Sequence, residues 1–209
     1  MRNRIAVAIA AALAAGALTG CSSGDEPQAA PSKTVLVPGR PGEPNRTKVA
    51  GPREPAEPTP EEVRFVQMMI PHHAQALEMS KLAPDRASDE RVRSLASRID
   101  AAQKVEIKTM DAWLKRHPNA VLKAHGDHGG HGNMPGMATP EQLERLRKAR
   151  GKEFDELYLK LMITHHEGAL TMVKDVLDKG TDVTVQELAR DIQSTQLAEI
   201  NRMKDLLGE

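Results

Sequence analysis

Two pairs of adjacent histidines, His72-His73 and His165-His166, stand in the same company, and that company defines the chemistry open to them. Met69 and Met79 bracket the first pair at the same spacing at which Met162 and Met172 bracket the second. At roughly 100° per helical residue, Met69, His72, His73, Ala76 and Met79 fall on one broad stripe about an apolar face, so both imidazoles point inward. Further along the chain Gln103, Glu106 and Met110, spaced i, i+3, i+7, also share one stripe, and they recur as Gln196, Glu199 and Met203. Burying imidazole, carboxamide and carboxylate in an aliphatic core costs free energy unless they bond to one another or to a metal. Thioether with imidazole suits Cu(I), while imidazole also accepts Cu(II), zinc or nickel. Adjacent histidines on a helix diverge by roughly 100°. One of each pair is therefore expected to ligate while the other orients Glu106, Glu199 or a symmetry-related group.

A second concentration of ligands lies between the pairs. After His117 the chain reads His125-Gly-Asp-His128-Gly-Gly-His131-Gly-Asn-Met134-Pro-Gly-Met137. Three imidazoles and two thioethers on a glycine-rich segment form a compositional metal-binding signal, and an open loop site of this kind exchanges metal fast, which fits capture. Two plainer readings stay open. Methionine fills gaps in many helical cores, so the Met stripes read alone are core, and the His-rich segment read alone is a solvated loop.

The elements that must position these residues come in duplicate. Sliding the sequence against itself by 93 residues aligns 65–114 with 158–207 without a gap, with 19 identities in 50 positions. Such a repeat marks one unit used twice, each copy unable to bury its apolar face alone. Thr59-Pro60-Glu61-Glu62 supplies an N-cap, a first-turn proline and a capping-box glutamate, giving a helix over about 60–82 whose end region Pro84 marks. Its partner begins near Ser88 or Asp89 and stops before Pro118. In the second copy helices over about 152–179 and 183–207 flank Gly180, a C-cap candidate, and a shorter helix starts at Thr139-Pro140-Glu141-Gln142 and runs toward Gly151. The expected fold is all-α: a four-helix bundle of two repeated helical hairpins related by a pseudo-twofold, plus a short extra helix.

Before the bundle the chain is of a different kind. Arg2 and Arg4 precede an uncharged run from Ile5 to Leu18, too short to span a bilayer and laid out as a signal peptide over 1–20. Leu18-Thr19-Gly20-Cys21 resembles the bacterial lipobox, which implies lipid on Cys21 and a place in the cell envelope, exported and held at a membrane. Residues 22–60 hold 9 of the 14 prolines, so 21–60 reads as a disordered tether and 61–209 as one domain, with repeats over about 61–116 and 152–207 and a His/Gly/Met-rich loop over 117–138.

Composition excludes several functions. With 29 basic and 29 acidic residues and four aromatics, Phe65, Trp113, Phe154 and Tyr158, the chain lacks the charge and stacking surfaces of a nucleic-acid binder. One cysteine makes neither an internal disulfide nor a thiolate cluster, so a metal here is held by His, Met or carboxylate. A di-iron centre draws a Glu from each of two helices and Glu-x-x-His from the other two, and that pattern is absent, as are a phosphate loop, a nucleophile elbow and His-Glu-x-x-His.

Met-Ile-Pro-His72-His73-Ala-Gln-Ala-Leu-Glu-Met79, then Met134-Pro-Gly-Met137, then Gly151-Lys-Glu-Phe154-Asp155 leading to Met162-Ile-Thr-His165-His166-Glu-Gly-Ala-Leu-Thr-Met172, resemble in kind and order the bacterial domain-of-unknown-function 305 family over about 61–207. The resemblance implies an exported, ferritin-like helical bundle, some members of which bind copper or confer copper tolerance in the periplasm. The first copy departs from the pattern: Pro71 stands where the second has Thr164, and no Phe-Asp lead-in precedes Phe65.

The expectation is a lipid-anchored envelope protein that binds copper as Cu(I) or Cu(II), with zinc or nickel as alternatives, and sequesters it or delivers it to a copper-handling partner without catalytic turnover. Its candidate ligands are the Met, His and Glu residues of both repeats and those of the loop. Against it stand a metal-free structural or partner-binding bundle and, further off, a ferritin-like metal-dependent oxidoreductase.

Overall fold

The computed structural model describes residues 33–37, 40, 42–50, 57–120 and 134–209. The segment expected to be a signal peptide, Cys21 and the loop histidines His125, His128 and His131 lie outside these.

Thr59 acts as its residue type dictates: its hydroxyl accepts from the Glu62 N–H at 3.2 Å while the Glu62 carboxylate accepts from the Thr59 N–H at 2.7 Å. From this reciprocal cap helix α1 runs Pro60–Ser80, continuing through Pro71. Pro84 does not follow a bare stop but sits in the first turn of a four-residue helix, α2 (Ala83–Arg86), a place where proline needs no hydrogen-bonded N–H. Asp89 caps α3 (Glu90–Arg116), and Thr139 repeats the capping box for α4 (Pro140–Lys148). Helix α5 (Gly151–Lys179) and helix α6 (Val183–Leu207, capped by Asp182) complete the set. Gly180 closes α5 in an extended rather than a left-handed conformation. A Cβ there would stand 2.7 Å from the Val176 carbonyl oxygen, so close approach rather than backbone freedom requires the glycine.

Four long helices form two hairpins, α1 with α3 and α5 with α6, which meet chiefly through α1 and α5. The core comes in two apolar clusters. Phe65, Val66, Met69, Met110, Met172 and Ile192 belong to one, and Tyr158, Leu159, Met162, Met203, Met79 and Ile99 to the other. Adding 93 to a residue of the first hairpin in one cluster gives its counterpart in the other, so each cluster is the pseudo-twofold image of its twin. Every long helix crosses from one cluster to the other, and at each crossing it carries buried polar residues: His72-His73, Gln103, His165-His166 and Gln196.

The hairpins are locked by crossed carboxylates. Glu62 of α1, fully buried, accepts from the Thr181 N–H and, at 2.6 Å, from the Asp182 N–H at the start of α6. Asp155 of α5 stands 93 residues later and accepts from the Ser88 hydroxyl and from the Ser88 and Asp89 N–H groups at the start of α3. Each anion thus fills the N-terminus of a helix in the other hairpin, where unpaired N–H groups and the helix dipole favour negative charge.

The segment expected to be a tether without regular structure contains, among its described residues, an antiparallel pair of strands β1 (Lys33–Val37) and β2 (Arg46–Ala50) in register Lys33 with Ala50 and Val37 with Arg46. Thr34-Val35-Leu36-Val37 and Thr47-Lys48-Val49 carry the β-branched residues that suit strands, and Pro44 falls in the connection between them. This hairpin and the bundle belong to separate compact units, 1–55 and 56–209. No helix among the described residues is long and apolar enough to cross a membrane.

Candidate metal centre

The stripes read from the sequence converge on the layer between the two apolar clusters. His72, His73, His165 and His166 are each fully buried there. The members of each pair divide their work as the helical divergence requires. His73 Nε2 lies 2.7 Å from Glu106 Oε2, and His166 Nε2 lies 2.7 Å from Glu199 Oε2, the same contact in each repeat. The other two histidines meet: the His72 and His165 rings are 3.8 Å apart at their centroids, tilted by 38°. His165 Nε2 donates to the His72 carbonyl oxygen at 2.9 Å, and His72 Nε2 donates to the Pro135 carbonyl oxygen at 3.0 Å.

These partners assign the protons. Carbonyl oxygens only accept, so His72 and His165 carry hydrogen on Nε2, and a carboxylate imposes the same on His73 and His166. On a neutral ring this leaves Nδ1 as a bare lone pair, the state that the lowered pKa values of His72 and His165 give to those two. All four Nδ1 atoms are buried without a hydrogen-bond partner, as are both side-chain polar atoms of Gln103 and of Gln196. Desolvation lowers the His72 pKa to about 4, and desolvation together with the neighbouring imidazoles holds His165 well below its ordinary value, so both rings are neutral at neutral pH. Neutral imidazole with a free nitrogen and its other N–H bonded to protein is the state in which histidine binds a metal.

The remaining candidates separate into groups. Met69, Met110 and Met172 pack in one apolar cluster and Met79, Met162 and Met203 in the other, one trio on each side of the histidine layer. Glu106 and Glu199 are 15% and 13% exposed and reach the layer from its edge. Met134 and Met137, expected in an open loop, belong to a tight turn seated on the bundle, and Met134 is buried. Close packing of glycine-rich backbone against α5 accounts for the difference, since a Cβ on Gly136 would stand 2.3 Å from the Thr164 carbonyl oxygen. Among the described residues no group of three or more His, Cys, Asp or Glu side chains is arranged as a metal cage. What the layer offers instead is imidazole nitrogen with thioether sulfur nearby in sequence, a soft set of low coordination number.

Three residues escaped the sequence reading. Pro135 supplies a backbone acceptor, which residue type does not announce. Gln75 holds Ala138 by two hydrogen bonds, accepting from its N–H at 2.7 Å and donating to its carbonyl at 3.0 Å. Gly168 lies against Pro135, and the cue for it was the repeat itself, which sets glycine opposite Gln75.

Comparison with known proteins places this geometry in a family. Residues 62–207 match the family model described as Domain of unknown function (DUF305). A DUF305 protein of Streptomyces coelicolor described as secreted is 35% identical, with a TM-score of 0.64 over 71% of this chain and 92% of the other. A DUF305 fragment from Deinococcus radiodurans is 37% identical, with a TM-score of 0.63 over 72% and 97%. CopM in its Cu(II)-bound form is 32% identical, with a TM-score of 0.59 over 69% and 94%, and it has also been solved with Cu(I), with silver and in the apo form. Among curated sequences, the uncharacterized protein L153 of Acanthamoeba polyphaga mimivirus is 42% identical over 55 residues, a match spanning 26% of this chain and 36% of that protein.

Proposed function

The chain belongs to the DUF305 family, and from that premise we propose that it is an exported copper-binding protein which sequesters or hands over the ion without catalytic turnover. The observation that carries the reading is the set of four histidine Nδ1 atoms, buried and without a partner between two apolar half-cores. Leaving such atoms unmatched costs about 1–3 kcal/mol each, a cost that metal ligation offsets. The His72–His165 pair is the centre of the site. Its surroundings, two backbone carbonyls and neutral rings, favour a monovalent soft ion, Cu(I), over a doubly charged one. The Glu106 and Glu199 carboxylates hold His73 and His166 and provide the negative charge that Cu(II), zinc or nickel requires. That CopM has been solved with Cu(I), Cu(II) and silver supports copper within this fold.

Export is supported by the signal-like segment and by the secreted relative, and Cys21 is the proposed point of lipid attachment. The loop histidines His125, His128 and His131 form the proposed capture site ahead of the bundle.

A competition titration of the chain with Cu(I) and Cu(II), zinc serving as the comparison ion, tests the assignment. Wild type is expected to bind Cu(I) most tightly, and the His72→Ala, His165→Ala double variant to lose that binding while keeping its helical circular dichroism. Affinity for Cu(I) that survives this double variant sinks the assignment, and loss only on changing the loop residues moves the function there. The absence of specific binding by either region leaves the histidines as core and makes the protein a structural bundle.

A further inference from the structure

The segment between the hairpins returns to the bundle at the histidines. Met134–Ala138 lies across α1 and α5 as a strap. Pro135 presents its carbonyl to His72 Nε2 at 3.0 Å. The two glycines at the crossing have no room for a side chain: a Cβ on Gly168 would stand 2.0 Å from the Pro135 carbonyl oxygen, and one on Gly136, at φ 77°, would stand 2.9 Å from the Gly168 Cα. Gln75 grips the far end through both backbone groups of Ala138. Met134 is buried yet belongs to neither apolar cluster.

This contact breaks the symmetry of the repeats. Gln75 and Gly168 occupy the same repeat position, as do His72 and His165. One copy offers the strap an amide to grip, the other bare backbone to lie on. Only His72 receives the strap's carbonyl, while His165 turns its Nε2 to the His72 carbonyl instead. On another side of the bundle, a groove of about 490 Å³ between α3 and α6 has Ala102, Ala198 and Glu199 in its wall, but none of the four histidines.

We propose that the strap positions and closes the His72–His165 site: the Pro135 carbonyl holds His72 with hydrogen on Nε2 and its Nδ1 lone pair presented, and metal passes to or from solvent when the strap leaves Gly168. The assignment rests on the metal-binding reading and adds to it a positioning group, a seat and a route. Gly136, Gly168 and Gln75 are the seat.

Gly168→Ala in the full chain is the discriminating change. Alanine is the better helix former, so α5 gains intrinsic propensity, while its methyl takes the place of the Pro135 oxygen. Gln75→Ala frees the other end without adding bulk, and Ala198→Leu narrows the α3–α6 groove as the contrasting variant. Hydrogen exchange at the Ala138 amide and the rate at which a Cu(I) chelator in excess withdraws Cu(I) are measured for each, with far-ultraviolet circular dichroism as the check on folding. Both strap variants are expected to retain their helices, to exchange the Ala138 amide faster and to release Cu(I) about tenfold faster, the scale set by one lost hydrogen bond. Ala198→Leu is expected to release Cu(I) at the wild-type rate. A freed strap with unchanged release overturns the closure, as does slower release in Ala198→Leu, which would put the route in the groove. Unchanged exchange at Ala138 in both variants overturns the seat. Failure of the wild type to take up Cu(I) removes the metal-binding reading, and the exchange data then still decide whether Gly168 and Gln75 hold the strap.

Discussion

His72 and His165, buried with Nε2 bonded and Nδ1 without a partner, give the apo protein a definite response to acid. His72 carries a pKa lowered to about 4 against 6.5 for an exposed ring, and desolvation pushes His165 the same way. Between those values the unfolded chain binds protons that the folded chain refuses, so stability rises with pH across this interval. The stabilisation is complete above pH 6.5 and is lost as the pH falls through about 4. For His72 alone the difference is on the order of 3 kcal/mol. Urea denaturation of apo protein at pH 7 and at pH 4.5 is expected to show the midpoint falling, with most of the fall absent in His165→Leu, His72→Leu. A flat profile would mean that the rings are not buried as neutral groups. At this scale the sequence was informative about which residues face inward and that the two members of each pair take different partners, one a glutamate and the other a backbone carbonyl. It was silent on the acceptor for His72, because a backbone carbonyl belongs to every residue type and Pro135 is 63 positions away.

Helix limits were legible where side chains write them: Thr59, Asp89, Thr139 and Asp182 are caps by chemistry, and each helix starts on cue. What a cap residue does beyond its own helix was not. Glu62 reads as the glutamate of a capping box, yet its other oxygen holds the N–H groups that lead into α6 of the second hairpin, and Asp155 does the same for α3 of the first. The repeat offset pairs these two positions, but they differ in residue type and precede the aligned stretch, so the repeat does not mark them as equivalent. Asp155→Ala would leave the Ser88 and Asp89 N–H groups without their acceptor, and Glu62→Ala those of Thr181 and Asp182. Each substitution is expected to cost about 1–3 kcal/mol, lowering Tm by roughly 2–4 °C per kcal/mol for a chain of this size. The clamps engage opposite ends of the bundle, so the double variant should show the sum of the two losses in thermal melts. A loss well below the sum would show that the clamps report on one shared contact. The β1–β2 pair was missed for a complementary reason: nine prolines dominate the composition of 22–60 and hide two short runs of β-branched residues.

At the scale of the whole molecule, the design is two copies of one apolar half-core with a polar seam between them. The seam is where α1 and α5, the principal contact between the hairpins, carry their histidines. A conventional bundle would fill this layer with aliphatic side chains; on the proposed function, a bound ion would add to the stability of this one. Ligand held by the folded state alone stabilises it by RT ln(1 + [L]/Kd), about 2.7 kcal/mol at a free concentration one hundred times Kd. Cu(I) at that excess is expected to raise Tm by roughly 5–10 °C and to slow amide exchange in both half-cores together, since an ion on the proposed His72–His165 site would join α1 to α5 at the centre. The thioethers divide by position. Met69 and Met162 precede the histidines by one helical turn, whereas Met79 and Met172 lie about two turns beyond. Leucine conserves methionine volume at a cost usually below about 1.5 kcal/mol, so a Met→Leu series separates ligation from packing. Met69→Leu and Met162→Leu should reduce the Cu(I)-linked rise in Tm and leave the apo Tm nearly unchanged, while Met79→Leu and Met172→Leu should move neither. If all four leave the rise intact, the site is imidazole alone and the methionines are core. If the rise is also absent in wild type, the seam is a structural one, and the unpartnered Nδ1 atoms are then a cost that the apolar clusters on either side must outweigh.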